Sequence, residues 1–273
     1  MSAGRAAVLG SPVAHSKSPD LHRAAYRALG LHDWTYEAID TTAEQLAGRV
    51  HDAGPEWVGF SVTMPGKLEA LRIADERTER AELIGSANTL VRTERGWRAD
   101  CTDVDGMSGA LTEVGYTGGD AVLIGAGGTS LPTVAALADA GADRVSVVAR
   151  SPQRAQSTVE LARRLGLRAR VVDFADSGAL TEACAASAVT VSTVPASAAA
   201  TVAHPVASSP RFVDAIYDPW PTPAASAVRA AGGVVVGGLV MLVNQAFSQV
   251  EQFTGRPAPR AEMAAAIGLW TDA

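Results

Sequence analysis

The stretch Asp120-Ala-Val-Leu-Ile-Gly-Ala-Gly-Gly-Thr-Ser130 restricts the fold more than any other part of the chain. A short apolar run, of the length and composition of a buried parallel strand, stops at a cluster of glycines. A helical pattern, Leu131 to Ala140, follows at once, and a second apolar strand, Val145 to Val148, comes one helix later. This is a strand–helix–strand unit. Exposed N–H groups at such a helix start, with the positive end of the helix dipole, favour a phosphate. The turn is therefore a candidate dinucleotide site, with Gly125, Ala126, Gly127 and Gly128 as contacts. The last glycine of the Gly-x-Gly-x-x-Gly pattern is replaced by Ser130, still small enough for close helix–strand packing. The alternative is an ordinary glycine-rich turn.

The end of the second strand names the cofactor. An NAD-preferring site carries Asp or Glu there for the ribose hydroxyls. This chain reads Ala149-Arg-Ser-Pro-Gln-Arg154 instead. Arg150, with Arg154 one helical turn on, favours the 2′-phosphate of NADP over a bare ribose. Arg168 to Val172, Ala188 to Ser192, Phe212 to Asp214 and Val234 to Val236 read as further strands. Thr193 follows one of them and shares an edge with the glycine turn. With Gly238, at the start of the late helix Leu239 to Phe253, it completes the candidate cofactor set. Ala196 to Ala203 reads as a mobile surface loop, and Pro257 to Trp270 as a final helix.

Composition narrows the partners. The chain has 273 residues and a net charge of −6 with no basic run, which argues against nucleic acid. No apolar run reaches the roughly 18 residues of a membrane span. The first apolar run, Ala6 to Leu9, is too short for a signal peptide. Two distant cysteines, Cys101 and Cys184, point to a reducing, cytoplasmic setting. Arginine has displaced lysine almost everywhere, leaving Lys17 and Lys67 alone. A retained lysine is of interest because its amine can lose a proton where guanidinium cannot.

Lys67 stands where a strand, Trp57 to Val62, passes through Thr63-Met-Pro-Gly66 into a helix. Active sites of α/β folds sit at such junctions, and the neighbouring positive helix end lowers an amine pKa. The alternative is a solvated surface lysine. Earlier, the strand Ala6 to Leu9 leads into a loop that holds Ser11, Ser16 and Ser18, with Ser18 as the expected N-cap of a helix from Pro19. Such a loop suits a polyhydroxylated or carboxylated small molecule. Asn88, in Gly85-Ser-Ala-Asn-Thr89, either binds a ligand or bonds its own turn. Thr102 or Asp103 caps the helix Val104 to Val114. No metal site is expected: His15 and His22 lack a third ligand, and the acids at 100, 103 and 105 lack the glutamate of a calcium loop. The expected fold is α/β, with an N-terminal α/β domain over residues 1–103 and a Rossmann-type NADP-binding domain over 104–239.

Taken together, these stretches resemble the shikimate dehydrogenase family. Gly10-x-Pro-x-x-His-Ser16-x-Ser18-Pro19 is similar to its shikimate-binding serine loop, and Ser61-Val-Thr-Met-Pro-Gly-Lys67 to its catalytic-lysine stretch. Gly85 to Thr89 and Thr102-Asp103 resemble its substrate-binding Asn and catalytic Asp motifs. Tyr217 and Met241-Leu-Val-Asn-Gln245 resemble the two late motifs. The resemblance implies Lys67 and Asp103 as catalytic residues. It implies Ser16, Ser18, Thr63, Asn88, Tyr217 and Gln245 around a small-molecule substrate. It also implies that the C-terminal helices, residues 240–273, return to the first domain. The reaction implied is NADPH-dependent reduction of 3-dehydroshikimate to shikimate, in the route to chorismate and the aromatic amino acids. Two positions depart from the family: Cys101 and Ser61 stand where Asn is usual or frequent. They keep quinate or an aminated shikimate analogue open as substrate. An NADP-binding regulatory protein without turnover is the alternative of another class. The sequence leaves a homodimer open as an assembly.

Overall fold

The computed structural model of this chain describes residues 3–270. It forms two compact units, one from the chain up to Thr102 and from Gln245 onward, the other from Asp103 to Asn244.

The first unit begins with β1 (Arg5–Gly10), α1 (Ser18–Ala28), β2 (Thr35–Asp40), α2 (Ala43–His51), β3 (Trp57–Val62) and α3 (Lys67–Ile73). A short β4 (Glu76–Arg77) and α4 (Glu79–Ile84) precede the hairpin of β5 (Thr89–Thr93) and β6 (Gly96–Asp100). The sheet order is β2-β1-β3-β5-β6-β4. β1 is parallel to both β2 and β3, while β5 is antiparallel to β3 and β6. β1 lies inside the sheet between β2 and β3 and is buried over residues 6–10, which explains its unbroken apolar run. Leu9, Phe60, Leu90 and Trp97 lie in one buried apolar cluster. The expected Ser18 cap is corrected: α1 starts at Ser18, and Ser16 Oγ accepts the Ser18 N–H at 3.3 Å. The helix is entered one residue early because the Ser16 hydroxyl supplies the acceptor.

The second unit runs α5 (Asp103–Glu113), β7 (Gly119–Ile124), α6 (Ser130–Asp139), β8 (Ala142–Ala149), α7 (Pro152–Arg164), β9 (Arg168–Asp173) and α8 (Ser177–Ala186). It continues with β10 (Val189–Ser192), α9 (Ala196–Thr201), α10 (Ala203–Val206), β11 (Arg211–Asp214), α11 (Pro223–Ala230) and β12 (Val234–Val236). All its pairings are parallel, in the order β12-β11-β10-β7-β8-β9. The strand order therefore reverses between β7 and β10, the switch point at which doubly wound sheets bind ligands. α12 (Gly238–Thr254) starts in this unit and ends in the first, followed by α13 (Arg260–Ala265).

Two expectations are overturned here. The stretch 196–203 is helical, not a mobile loop. Alanine is the strongest helix former, and Ala199 and Val202 are buried against Val206 and Ala224. The final helix covers only Arg260–Ala265. Pro257 and Pro259 hold back its start, and Gly268 takes a left-handed φ of 75° beyond its end.

Candidate active site

In the first unit, three loops meet at one end of the sheet. The Thr63 N–H donates to Leu9 O at 2.8 Å, and the Ser11 N–H donates to Met64 O at 3.0 Å. The serine loop after β1 and the Thr63–Gly66 loop after β3 are thereby tied. Lys67 is the first residue of α3, and its carbonyl accepts the Ala87 N–H at 3.0 Å. That bond places the Gly85–Thr89 segment beside the start of α3.

Asn88 is buried in a dense hydrogen-bonded knot. Its Oδ1 accepts from the Thr102 N–H at 2.7 Å and from the hydroxyls of Thr102 and Thr89, each at 3.1 Å. Three donors on one oxygen fix which way the amide faces. Its Nδ2 then donates to Gln245 Oε1 at 3.3 Å, a contact spanning 157 positions of sequence. Thr102 directly precedes Asp103, the first residue of α5. Asn88 and Gln245, both expected at the substrate, thus form one hydrogen-bonded group with Thr102 of the catalytic Asp motif.

Behind this knot lies a polar group that the sequence did not reveal. The Tyr36 hydroxyl donates to Ser61 Oγ at 2.6 Å, and Ser61 donates to Gln249 Oε1 at 2.8 Å. Gln249 Nε2 donates to Asn88 O at 3.2 Å and Thr89 Oγ1 at 3.0 Å. His22, stacked on Tyr36 at 4.0 Å between ring centroids, donates from Nε2 to the same Gln249 oxygen at 3.3 Å. Burial lowers the His22 pKa to about 3, only partly opposed by that hydrogen bond, so the imidazole stays neutral. Burial raises the Tyr36 pKa, against which its hydrogen bonds to Ser61 and Ser18 act. His22 is a core residue, and Ser61 spends its hydroxyl inside the fold.

The spacing of Gln245, Gln249 and Gln252 on α12 was the available signal: three amides four and three residues apart, on one face of the helix. The third of them, Gln252, donates to Asp100 Oδ2 at 2.7 Å. Arg80 grips both oxygens of Asp100, at 2.6 and 2.5 Å, and Thr78 donates at 2.7 Å. Burial alone would raise the Asp100 pKa, but Arg80, Thr78 and Gln252 outweigh it and bring it to about 2. The acid at 100 thus anchors structure rather than a cation.

In the second unit, the turn after β7 and the loop after β10 line one cavity of about 190 Å³. Gly125, Ala126 and Gly127 form one wall, and Thr193 to Pro195 another. Arg150 and Arg154 line the same space, beside Val148, Ala149 and Phe174. Gly125 has φ 112°, and a Cβ there would stand 2.5 Å from Thr193 Oγ1. At Gly127 and Gly128, by contrast, no described atom lies within 4 Å of where a Cβ would be. Their backbone is open to a close-approaching phosphate. Ser130, in place of the third glycine, is fully buried and donates to Gly127 O at 2.6 Å. It closes the turn from inside. The residues present thus fit NADP: open glycines at the diphosphate position and two arginines beyond β8.

The two remaining site candidates are placed in the same unit. Gly238 begins α12, and a side chain there would collide with the Ala215 carbonyl. Tyr217 follows β11, and burial raises its hydroxyl pKa, with Asp218 adding to the rise. Among the described residues, no group of three or more His, Cys, Asp or Glu could hold a metal ion.

Comparison with known proteins agrees with this architecture. Residues 8–90 match the shikimate dehydrogenase substrate binding domain, and residues 238–267 match the shikimate 5'-dehydrogenase C-terminal domain. Residues 121–230 match the saccharopine dehydrogenase NADP binding domain. A shikimate dehydrogenase (NADP(+)) of Anaeromyxobacter sp. is 37% identical over 269 residues, covering 95% of this chain and 94% of its own. The crystal structure of Mycobacterium tuberculosis shikimate dehydrogenase superposes with a TM-score of 0.93 at 57% identity, covering 97% of this chain and 98% of that one. A shikimate 5-dehydrogenase from Thermus thermophilus, in complex with NADP(H) and shikimate, gives a TM-score of 0.81 at 32% identity over 96% and 98% of the two chains. With sequence and fold alike over nearly the full length of these relatives, this chain belongs to the shikimate dehydrogenase family.

Proposed function

We propose that this chain catalyses the reversible, NADPH-dependent reduction of 3-dehydroshikimate to shikimate, in the route to chorismate and the aromatic amino acids. The observation that carries the reading is the knot of Asn88, Thr102 and Gln245, buried amides and hydroxyls held in fixed orientation. Preset amides and hydroxyls suit a ring that bears several hydroxyl groups, because such groups can both donate and accept hydrogen bonds. Arg150 and Arg154, lining one space with Gly125 and Gly127, support NADP as cofactor.

When bound, NADPH supplies hydride to the ring carbonyl carbon. The carbonyl electron pair then moves to oxygen, and Lys67 delivers an Nζ proton to it, giving the hydroxyl. The ammonium also stabilises negative charge as it develops on that oxygen. Asp103 is the second catalytic residue in this proton transfer. In oxidation the same proton returns to Lys67. Ser16 and Ser18 bind the substrate carboxylate, Thr63 and Gln245 bind ring hydroxyls, and Tyr217 completes the substrate set. Gly125, Ala126, Gly127 and Gly128 hold the diphosphate, Arg150 and Arg154 the 2′-phosphate, and Thr193 and Gly238 the remainder of the dinucleotide.

No helix among the described residues is long and apolar enough to cross a membrane. We assign the protein to the cytoplasm, a reading supported by a chain with only two cysteines, Cys101 and Cys184, far apart in sequence and both buried. Its assembly, monomer or homodimer, is decided by light scattering. The test of function is NADPH formation at 340 nm with shikimate, quinate and aminoshikimate. The highest kcat/KM with shikimate supports the reading. A higher value for either analogue overturns the substrate, and no NADPH with any of them overturns the enzyme.

A further inference from the structure

We propose that Gln249 is a positioning residue for substrate binding, which holds Asn88 from behind and takes its own orientation from Ser61 and Tyr36. The inference rests on the reading of Asn88 as a substrate ligand. Every hydrogen-bonding position of the Gln249 amide is used. Its oxygen accepts from Ser61 at 2.8 Å and His22 at 3.3 Å, and its nitrogen donates to Asn88 O at 3.2 Å and Thr89 Oγ1 at 3.0 Å. A carbonyl can only accept, so the bond to Asn88 O forbids the flipped amide. The Thr89 hydroxyl accepts on the Gln249 side and donates to Asn88 Oδ1 at 3.1 Å, with Thr102 Oγ1 as its further neighbour at 3.0 Å. Gln249 therefore holds Asn88 through its backbone directly and through its side chain by way of Thr89.

The donors run in one direction: Tyr36 to Ser61, Ser61 to Gln249, Gln249 to Thr89, Thr89 to Asn88. Bonds aligned in this way polarise one another, and in a buried setting the loss of one member leaves its neighbours unpaired. Ser61, Asn88, Thr89 and Gln249 are all at most 4% exposed, so water does not readily replace a missing partner. The serine at 61 thereby has a role of its own: a hydroxyl short enough to stand between Tyr36 and Gln249. His22 is neutral over the working pH range, so the relay keeps its pattern as pH changes.

The test is steady-state kinetics of Gln249→Met and Ser61→Ala with shikimate and NADP, alongside thermal melting. Methionine keeps the length of glutamine and removes all four hydrogen bonds. Its KM for shikimate is expected to rise about tenfold, as for one ligand hydrogen bond misplaced. Its kcat and its KM for NADP are expected to stay within about threefold of wild type. Ser61→Ala removes a single hydroxyl, remains folded if the methionine variant does not, and is expected to raise the same KM about threefold. A lowered melting temperature with unchanged KM for shikimate in both variants overturns the inference and leaves the proposed function standing. Wild-type protein that oxidises no shikimate overturns the function, and the inference with it.

Discussion

The backbone N–H of Thr102 donates to the Asn88 side-chain oxygen at 2.7 Å. The residue before Asp103 is thus held by the amide that the substrate motif supplies. The residue that ends the first stretch of the first unit, Thr102, and the Gly85–Thr89 segment share this bond. Replacing Asn88 with Ala leaves the buried Thr102 N–H without its acceptor and takes one bond from each of the Thr89 and Thr102 hydroxyls. Such a loss costs about 1–3 kcal/mol. Asn88→Ala is expected to lower the melting temperature and raise the KM for shikimate. Asn88→Asp keeps an acceptor for the three donors and is expected to recover most of the stability but not the KM.

The glycines of the β7–α6 turn separate into a folding role and a binding role. Gly125→Ala forces a Cβ against Thr193 in a left-handed backbone position and is expected to lower the melting temperature by several degrees. Gly127→Ala meets no described atom and is expected to melt like wild type. Its methyl occupies the space that a phosphate needs, so its NADP affinity falls. Melting curves with and without NADP distinguish the two outcomes.

Arg150→Ala removes a guanidinium from the cavity beside Gly125 and Gly127. A charge-assisted hydrogen bond to phosphate is worth about 1.5–3 kcal/mol, or roughly ten- to a hundredfold in affinity. The KM for NADP is expected to rise by that factor while the KM for NAD is unchanged. Equal effects on both cofactors would remove Arg150 from 2′-phosphate recognition.

His22 sets an acid limit to stability. Its pKa is about 3 when folded, against an ordinary value of 6.5. Between those values the unfolded chain binds the extra proton. The contribution is complete above pH 6.5 and is lost as pH falls towards 3, at a limiting slope of about 1.4 kcal/mol per pH unit. The melting temperature is expected to drop between pH 6.5 and 4.5 in wild type. In His22→Phe the drop over that interval should be smaller, and an unchanged slope would show that His22 does not carry it.

Much of this was legible in the sequence because backbone demands leave strong marks. Glycines where a strand turns into a helix, a proline and glycine before Lys67, and arginines where an acid would serve NAD are all local patterns. What escaped was either too short or too distant. α4 has six residues, fewer than a periodic pattern needs, and went unassigned. The alanines of 196–203 look featureless until burial against Val206 gives them a face. Gln249 belongs to no motif of its own. Its partners, Ser61 and His22, lie 188 and 227 positions away, and only the fold brings them together. Its regular spacing from Gln245 and Gln252 was the one sequence signal.

The most direct test of the account is the turnover of Lys67→Ala beside wild type, with shikimate and NADP. Wild type is expected to form NADPH, and the variant to lose about 10²–10⁴-fold in kcat, the usual size of a general acid–base contribution. Its KM values for shikimate and NADP are expected to stay within a few-fold. A variant that turns over at the wild-type rate would contradict the assignment of Lys67 as the proton donor.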